Sequence, residues 1–196
     1  LEVLKLNLKW IRNERFLSPK NYNNIQGAVI VTVPYTGEIR VMIGGDGFTQ
    51  DNQLNRVFQA KRHVGSALKP FLYLSGIENK VITPYDVFED KEVTIEIEGA
   101  PKKYRYWNVK NYRDKYRGYL NIIEAIKYSS NVIAAQVAYK IGVEGMINII
   151  SETLGWSSTE TSKRMPDYQL SLALGAVDMS PFELNKLYVM IANTGE

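Results

Sequence analysis

The chain has 196 residues, of which 45% are hydrophobic and 23% charged, the balance of an ordinary globular domain. Its formal net charge of +3 is too small to indicate a dedicated nucleic-acid-binding protein. Cysteine is absent and His63 is the single histidine, which excludes disulfides, thiol nucleophiles and His-rich metal sites. No apolar run approaches the roughly 20 residues of a membrane-spanning helix.

The first 45 residues combine an ambiguous segment with a clear hairpin. Residues 1–26 fit both helical and alternating periodicity, and we predict a helix followed by a polar turn at 21–24. Residues 28–33 form a β-branched run, Pro34 to Gly37 a turn, and residues 39–43 a second strand. The continuous apolar run predicts that the first strand is buried on both faces.

The rest of the chain is mostly helical in pattern. A helix should run from Ser66 towards Ile77, and Val93–Ile97 alternates like a short edge strand. Further helices are predicted at about 120–127, 131–141, 143–154 with Gly155 as its cap, and from the capping box Ser180-Pro181-Phe182-Glu183 to about 192.

Ser66-Ala67-Leu68-Lys69 is an S-x-x-K motif at the start of the predicted helix. The i, i+3 spacing places the serine hydroxyl and the lysine amine on one face, and a buried lysine can lose its proton and act as a base. About one such motif is expected by chance in a chain of this length, so the motif alone is weak evidence for a catalytic pair. The alternative interpretation is a serine and a lysine exposed on the surface of a helix.

Ser129-Ser130-Asn131 lies at the break between two predicted helices. A turn there would project a hydroxyl and an amide into a cleft. The alternative is that Ser129 or Ser130 is simply the N-cap of the helix at 131–141.

Taken together, these motifs occur in the order used by the penicillin-recognising serine enzymes, S-x-x-K and then S-x-N. From Gln26 onward the sequence resembles the transpeptidase domain of class A (bifunctional) penicillin-binding proteins. The matching segments are Gln26–Val29, Pro34–Gly37, Ile43–Gly45, Leu54–Arg56, Gly65–Phe71, Trp107–Tyr112, Ser129–Val132, Leu172–Gly175, Ser180–Leu184 and Ile191–Asn193.

The resemblance implies a role for four residues. Ser66 would be the acylated nucleophile, Lys69 would take its proton, Ser129 would relay a proton to the leaving amine, and Asn131 would bind the peptide carbonyl of the substrate. The N–H of Ser66 would be one oxyanion-hole donor. Ser66 Oγ and Lys69 Nζ should then approach hydrogen-bond distance, roughly 2.6–3.2 Å.

The resemblance also implies an α/β fold like that of β-lactamases, with a mainly antiparallel sheet covered by helices on both faces. The third family motif, K-[ST]-G, does not occur in these 196 residues. Lys140-Ile141-Gly142 and Asn193-Thr194-Gly195 only approximate it. Because the resemblance begins at Gln26, we expect residues 1–26 to be a linker or interdomain segment. Residues 27–196 would be the N-terminal two-thirds of a transpeptidase domain that lacks its C-terminal strands.

The activity implied is peptidoglycan D,D-transpeptidation through an acyl-serine, on stem peptides ending in D-Ala-D-Ala, with β-lactams as inhibitors. The alternatives are a D,D-carboxypeptidase or β-lactamase-like hydrolase, or an inactive fragment. No metal or organic cofactor and no nucleic acid are expected. A preceding glycosyltransferase domain and a periplasmic location at the bacterial inner membrane would follow from the class A resemblance.

Three other features have alternative interpretations. Residues 102–117 mix basic and aromatic side chains, which fits single-stranded nucleic acid, a substrate groove or a packed surface loop. Because Lys69 is the base in the family, we expect no direct role for His63. We predict that the acidic pairs Asp46 with Asp51 and Glu89 with Asp90 lie in solvated turns rather than in a metal site.

Overall fold

The computed structural model describes residues 1–13, 25–165 and 169–195. They form two compact units, one of Leu1–Arg62 with Asp178–Glu196 and the other of His63–Val177. The polar turn predicted at 21–24 lies outside the described residues.

The helices are α1 (Glu2–Asn13), α2 (Arg56–Gln59), α3 (Lys69–Glu78), α4 (Ile122–Tyr128), α5 (Asn131–Ile141), α6 (Glu144–Leu154), α7 (Ser158–Arg164) and α8 (Pro181–Ala192). The strands are β1 (Val29–Thr32), β2 (Ile39–Ile43), β3 (Arg62–His63), β4 (Val87–Asp90), β5 (Val93–Glu96), β6 (Tyr106–Val109), β7 (Gly118–Asn121) and β8 (Asp178–Met179). Short 3₁₀ segments occur at Gly65–Leu68, Lys102–Tyr104, Tyr112–Asp114 and Leu170–Leu174.

In the first unit, β1 and β2 form the predicted antiparallel hairpin, with Val29 opposite Ile43. Helix α8 packs on β1, where Thr32 Oγ1 donates a hydrogen bond of 2.7 Å to Asn185 Oδ1. The prediction that β1 is buried on both faces is wrong, because Val31 is 47% exposed. In the described residues β1 pairs with β2 alone, so the face that carries Val31 has no helix comparable to α8 over it.

Both helices of the first unit that the sequence predicted are present. The helical alternative for the N-terminal segment is confirmed by α1, whose Leu8 is buried. Helix α8 begins with the predicted capping box, in which Ser180 and Glu183 each bond the other's backbone N–H. The ring of Phe182 lies 4.8 Å from that of Phe58 on α2, which fixes the start of α8 in this unit.

In the core of the second unit, helix α3 packs against both α5 and α6. Helix α5 matches its predicted bounds. Most of its side chains are apolar and most of its surface is buried by neighbouring elements. Its fully buried residues include Val132, Ile133, Ala134, Ala135, Val137 and Ala138. In the described residues no single helix is long and apolar enough to cross a membrane, and the pair α5 and α6, which together has the length and composition, is bent by 95°.

Two small antiparallel sheets flank this core. Strand β5 confirms the predicted strand at residues 93–97 and pairs with β6, while β4 pairs with β7. Ile95 and Val109 from the first of these sheets pack against Val132 and Ala135 of α5. Helix α4 begins two residues later than predicted because Leu120 and Asn121 belong to β7. Each sheet that the described residues form has two strands, so the larger predicted sheet is not assembled within them.

Candidate active site

Ser66 and Lys69 lie where a 3₁₀ turn passes into α3. The turn covers Gly65–Leu68, and the backbone N–H of Lys69 donates to the carbonyl of Ser66. Pro70 occupies the first turn of the helix, where its missing N–H costs no hydrogen bond. Ser66 is exposed, whereas Lys69 is only 2% exposed. The S-x-x-K motif is therefore not the surface pair of the alternative interpretation.

The amine of Lys69 is held by three acceptors from the S-x-N motif. Nζ donates to the carbonyl oxygen of Ser129 at 2.7 Å, to Ser129 Oγ at 3.1 Å and to Asn131 Oδ1 at 2.7 Å. An ammonium group has three N–H donors, so all of them are satisfied. Burial lowers the pKa of Lys69 to about 8, which makes a neutral amine accessible near physiological pH.

The two serines of the motif have different functions. Ser129 ends α4 with φ of 53° and ψ of 42°, a left-handed conformation that is strained for any residue other than glycine. This backbone accompanies the two contacts that Ser129 makes with Lys69. Ser130 is the N-cap of α5, because its Oγ accepts from the N–H of Ile133 at 3.1 Å. The N-cap alternative is thus right for Ser130, while Ser129 faces the lysine.

The structure brings three of the four predicted site residues into one hydrogen-bond network. The predicted hydrogen bond between Ser66 Oγ and Lys69 Nζ is not among those of the described residues, in which Ser129 and Asn131 take all three lysine donors. None of the groups that bond Lys69 comes from His63.

The turn before Ser66 depends on close contact between two glycines. The N–H of Gly65 donates to the carbonyl of Gly175 at 3.2 Å. Gly175 has φ of +80°, and a Cβ added there would lie 1.9 Å from the carbonyl oxygen of Gly65. Residues 172–175 belong to a segment of the family resemblance, but nothing in the sequence indicated that this segment supports the serine turn.

A buried carboxylate next to the S-x-N motif was also missed. Asp90 is 1% exposed and accepts hydrogen bonds from Ser130 and Asn111. The prediction that Asp90 lies in a solvated turn is wrong, because it ends β4 beneath the loop that follows α4. The clue in the sequence was Asn111, the partner of Asp90, because Asn111 belongs to the matching segment Trp107–Tyr112. Asp46 is likewise engaged: Arg12 contacts it at 2.8 Å, and that hydrogen bond is the largest factor lowering the pKa of the Asp46 carboxyl.

The basic and aromatic segment at 102–117 contacts the site through the backbone of Lys110 and the side chain of Asn111. The carbonyl of Lys110 accepts from Asn131 Nδ2 at 3.1 Å. Two of its cations are in ion pairs, Arg105 with Glu96 at 2.7 Å and Lys110 with Glu92 at 3.1 Å. Among the described residues there is no cluster of three or more acidic or histidine side chains that could hold a metal ion.

Sequence comparisons relate this chain to a known protein family. The family model "Penicillin binding protein transpeptidase domain" matches residues 27–196. Penicillin-binding protein 1B of Haemophilus influenzae is 32% identical over 88% of this chain and 21% of its own length. Penicillin-binding protein 1A of Pseudomonas aeruginosa is 32% identical over 87% of this chain and 19% of its own length.

The fold gives the same assignment. The structure of penicillin-binding protein 1A from Haemophilus influenzae superposes with a TM-score of 0.73 at 26% identity, covering 86% of this chain and 23% of that one. The transpeptidase domain of Burkholderia pseudomallei penicillin-binding protein 3 shares the fold, with a TM-score of 0.67 at 21% identity over 97% of this chain and 57% of that one. The predicted fold class is therefore confirmed. The chain spans about a fifth of the curated relatives that it matches, and it belongs to the penicillin-binding protein transpeptidase family.

Proposed function

We propose that this chain carries the acylation site of a peptidoglycan D,D-transpeptidase, with Ser66 as nucleophile and Lys69 as its base. The observation that carries the proposal is the buried amine of Lys69, which is one turn from an exposed serine and is held by Ser129 and Asn131. Burial brings the pKa of Lys69 to about 8, which suits a base that works near neutral pH.

The hydrogen bonds of Lys69 suggest how the proton moves. A neutral amine has two N–H donors and one lone pair. The carbonyl of Ser129 and Asn131 Oδ1 keep the two donors at 2.7 Å, so the longer contact to Ser129 Oγ at 3.1 Å is the one that gives way. Once that contact is released, the lone pair can accept the proton of Ser66, and Ser129 Oγ stays close enough to pass that proton on.

The reaction follows from these positions. Lys69 takes the proton of Ser66 as Oγ attacks the carbonyl carbon of the penultimate D-alanine. The bond from that carbon to the terminal D-alanine breaks, and Ser129 passes the proton from Lys69 to the departing amine. An amine of a second stem peptide then attacks the ester carbon on Ser66. The new amide bond forms the cross-link, the ester C–O bond breaks, and the proton that the amine loses returns to Ser66 Oγ through Ser129 and Lys69. A β-lactam would acylate Ser66 through the same first step.

The proposal extends to the setting of the protein. The relatives are penicillin-binding proteins 1A and 1B of bacteria. We accordingly place the site on the extracytoplasmic face of the inner membrane, in a longer protein with a preceding glycosyltransferase domain. Peptidoglycan stem peptides and β-lactam antibiotics are the proposed partners.

Labelling with a fluorescent penicillin tests the nucleophile. The variant Ser66→Ala should lose the covalent label, while the matched variant Ser162→Ala, at an exposed serine on α7, should keep it. Thermal stability should change by about 1 kcal/mol or less in both variants. A label that persists in Ser66→Ala, or maps to another serine by mass spectrometry, would overturn the assignment.

Product analysis separates the transpeptidase from the hydrolases. Incubation with a D-Ala-D-Ala pentapeptide and an amine acceptor should give the cross-linked peptide. If only the tetrapeptide formed by water appeared, the carboxypeptidase alternative would replace the proposal.

A further inference from the structure

Asp90 is a buried carboxylate whose charge is met by hydrogen-bond donors. It is 1% exposed, and in the described residues no Lys, Arg or His forms an ion pair with it. Oδ1 accepts from Ser130 Oγ at 2.7 Å and from Asn111 Nδ2 at 2.6 Å, while Oδ2 accepts from the N–H of Arg117 at 3.0 Å. Burying a carboxylate is costly, and charge-assisted bonds to fixed donors offset that cost. These three donors are therefore held firmly.

Asp90 and the carbonyl of Lys115 together orient the Asn111 amide, since Nδ2 donates to both, at 2.6 Å and 3.0 Å. Because Nδ2 of Asn111 donates to Asp90, Oδ1 is directed the other way, towards the start of α5. There it accepts from the N–H groups of Asn131 at 2.8 Å and Val132 at 3.2 Å. A flipped amide would place its oxygen against the carboxylate and leave those two N–H groups without an acceptor.

The same carboxylate oxygen fixes the third N–H of the helix. Ser130 donates its hydroxyl proton to Asp90 Oδ1 and accepts from the N–H of Ile133 at 3.1 Å. The first N–H groups of a helix have no partner within the helix. In α5 they are satisfied by two side chains, those of Asn111 and Ser130, and both of these are anchored on one oxygen of Asp90.

This anchoring determines what Lys69 meets. Ser130 stands between Ser129 and Asn131, the two residues that supply all three acceptors of the lysine. Ser129 is in a left-handed conformation, which persists only when the surroundings hold it. Asp90 makes no hydrogen bond or ion pair with Lys69, and the bonds that connect it to the lysine run through the loop. On the helix that carries Lys69, burial and then the charge of Asp90 raise the pKa of Tyr73, so a through-space effect has to be tested separately.

We propose that Asp90, acting through Asn111 and Ser130, is a positioning residue that keeps Ser129 and Asn131 in place around Lys69. The proposal rests on the proposed function, since it assigns Asp90 a part in the acid–base chemistry of that site. Removing the anchor should misplace the base and its relay, and a misplacement of about 1 Å can cost roughly 10²-fold in rate.

The test compares four variants of the full protein that carries this chain. Acylation by a fluorescent penicillin is measured per folded molecule from pH 6 to 10. Asp90→Ala and Asn111→Ala should each acylate about 10²-fold more slowly. Asp90→Asn should be intermediate because its amide oxygen can still accept from Ser130 and Asn111. The matched control Asp86→Ala, a surface carboxylate bonded to Thr83, should acylate like the wild type.

The pH profile separates positioning from a general loss of stability. The groups that bond Lys69 are uncharged, namely Ser129 and Asn131, and their acceptor atoms stabilise its ammonium form. When they are misplaced, the midpoint of the profile should move to lower pH in both Asp90→Ala and Asn111→Ala. A shift in Asp90→Ala alone would mean that its charge acts through space, and would overturn the proposal. So would wild-type rates per folded molecule in Asp90→Ala and Asn111→Ala.

Hydrogen exchange gives a result that does not depend on activity. The amides of Asn131 and Val132 should exchange faster in Asp90→Ala than in the wild type or in Asp86→Ala. If the wild type takes up no penicillin, the proposed function fails, and this comparison still decides whether Asp90 anchors the loop. Unchanged exchange at both amides in Asp90→Ala would overturn the proposal.

Discussion

The burial of Lys69 distinguishes this S-x-x-K motif from a chance occurrence on the protein surface. S-x-x-K is common by chance, and the residue types alone do not distinguish a base from a surface cation. The distinction comes from the 2% exposure of Lys69 and its three acceptors. Burial without a carboxylate partner lowers the pKa, and only a lowered pKa yields an amine able to take a proton from serine.

The pKa of Lys69 predicts how acylation depends on pH. Below about 8 the group is an ammonium ion and cannot accept a proton, and above it the amine is neutral. The second-order rate constant for acylation by a penicillin should therefore rise with pH, with a midpoint near 8, and then level off. Labelling reactions that are quenched at a series of times, at pH values between 6 and 10, measure this profile.

Two substitutions check that the profile belongs to Lys69. Lys69→Arg keeps the positive charge but has no neutral form in this range, so acylation should be nearly abolished at every pH. Lys140→Arg, at the exposed lysine of the Lys140-Ile141-Gly142 sequence, should leave the midpoint unchanged. A wild-type rate that is flat or falls with pH would contradict a lysine base.

At the scale of elements, the sequence predicted what local signals determine. Helices α5 and α8 have the predicted extents because their signals are local in the sequence. Both have apolar periodicity and a serine at the N-cap, Ser130 in α5 and Ser180 in α8, and α8 also has a capping box. Strands β4, β6 and β7 were missed because their short sequences show no clear apolar alternation and they are defined by pairing with residues distant in the sequence. Helix α7 was missed because its sequence STETSKR is polar throughout.

The site was predictable only where residue type and order identify it. Ser66, Lys69, Ser129 and Asn131 stand in recognisable motifs, and the structure brings the last three together. Asp90 lies in a charged stretch of sequence that resembles a surface turn. Its burial depends on pairing with Gly118 of β7 and on Ser130 at the start of α5, which is 40 residues later in the sequence. A single sequence does not show such contacts, so the supporting residues of the site were found only in the structure.

The glycine contact before Ser66 gives an element-scale prediction. In Gly175→Ala the new Cβ would lie 1.9 Å from the carbonyl oxygen of Gly65, so the turn before Ser66 must shift. The left-handed backbone costs about 1–2 kcal/mol and the forced displacement about 1–3 kcal/mol more. We expect lower thermal stability together with slower penicillin acylation, measured on the same protein.

A second glycine separates these two contributions. Gly99 has φ of +75° and nothing within 4 Å of an added Cβ, so Gly99→Ala carries only the backbone cost. It should be the less destabilised variant and should acylate at the wild-type rate. Equal losses in the two variants would show that contact with Gly65 is unimportant for the serine turn.

For the whole molecule, the expected activity depends both on the family and on which of its motifs these 196 residues contain. The family model matches from residue 27 to residue 196, and the chain spans about a fifth of its curated relatives. The site contains the proposed nucleophile Ser66, the proposed base Lys69 and the proposed relay serine Ser129. In the family, the K-[ST]-G motif supplies a second oxyanion donor and a cationic anchor for the substrate carboxylate. That motif does not occur in these 196 residues.

A polypeptide of these 196 residues alone should therefore react with penicillin far more slowly than a longer protein in which K-[ST]-G follows. Losing one oxyanion donor costs about 10²–10³ in rate, and losing the anchor weakens binding as well. Acylation rates of the two proteins are compared at equal folded concentration, with Ser66→Ala of each as the blank. Adding the following segment as a separate chain should restore part of the rate if its strand can dock. Equal rates without that segment would mean that the third motif is dispensable, and that Ser66, Lys69, Ser129 and Asn131 form a complete acylation site by themselves.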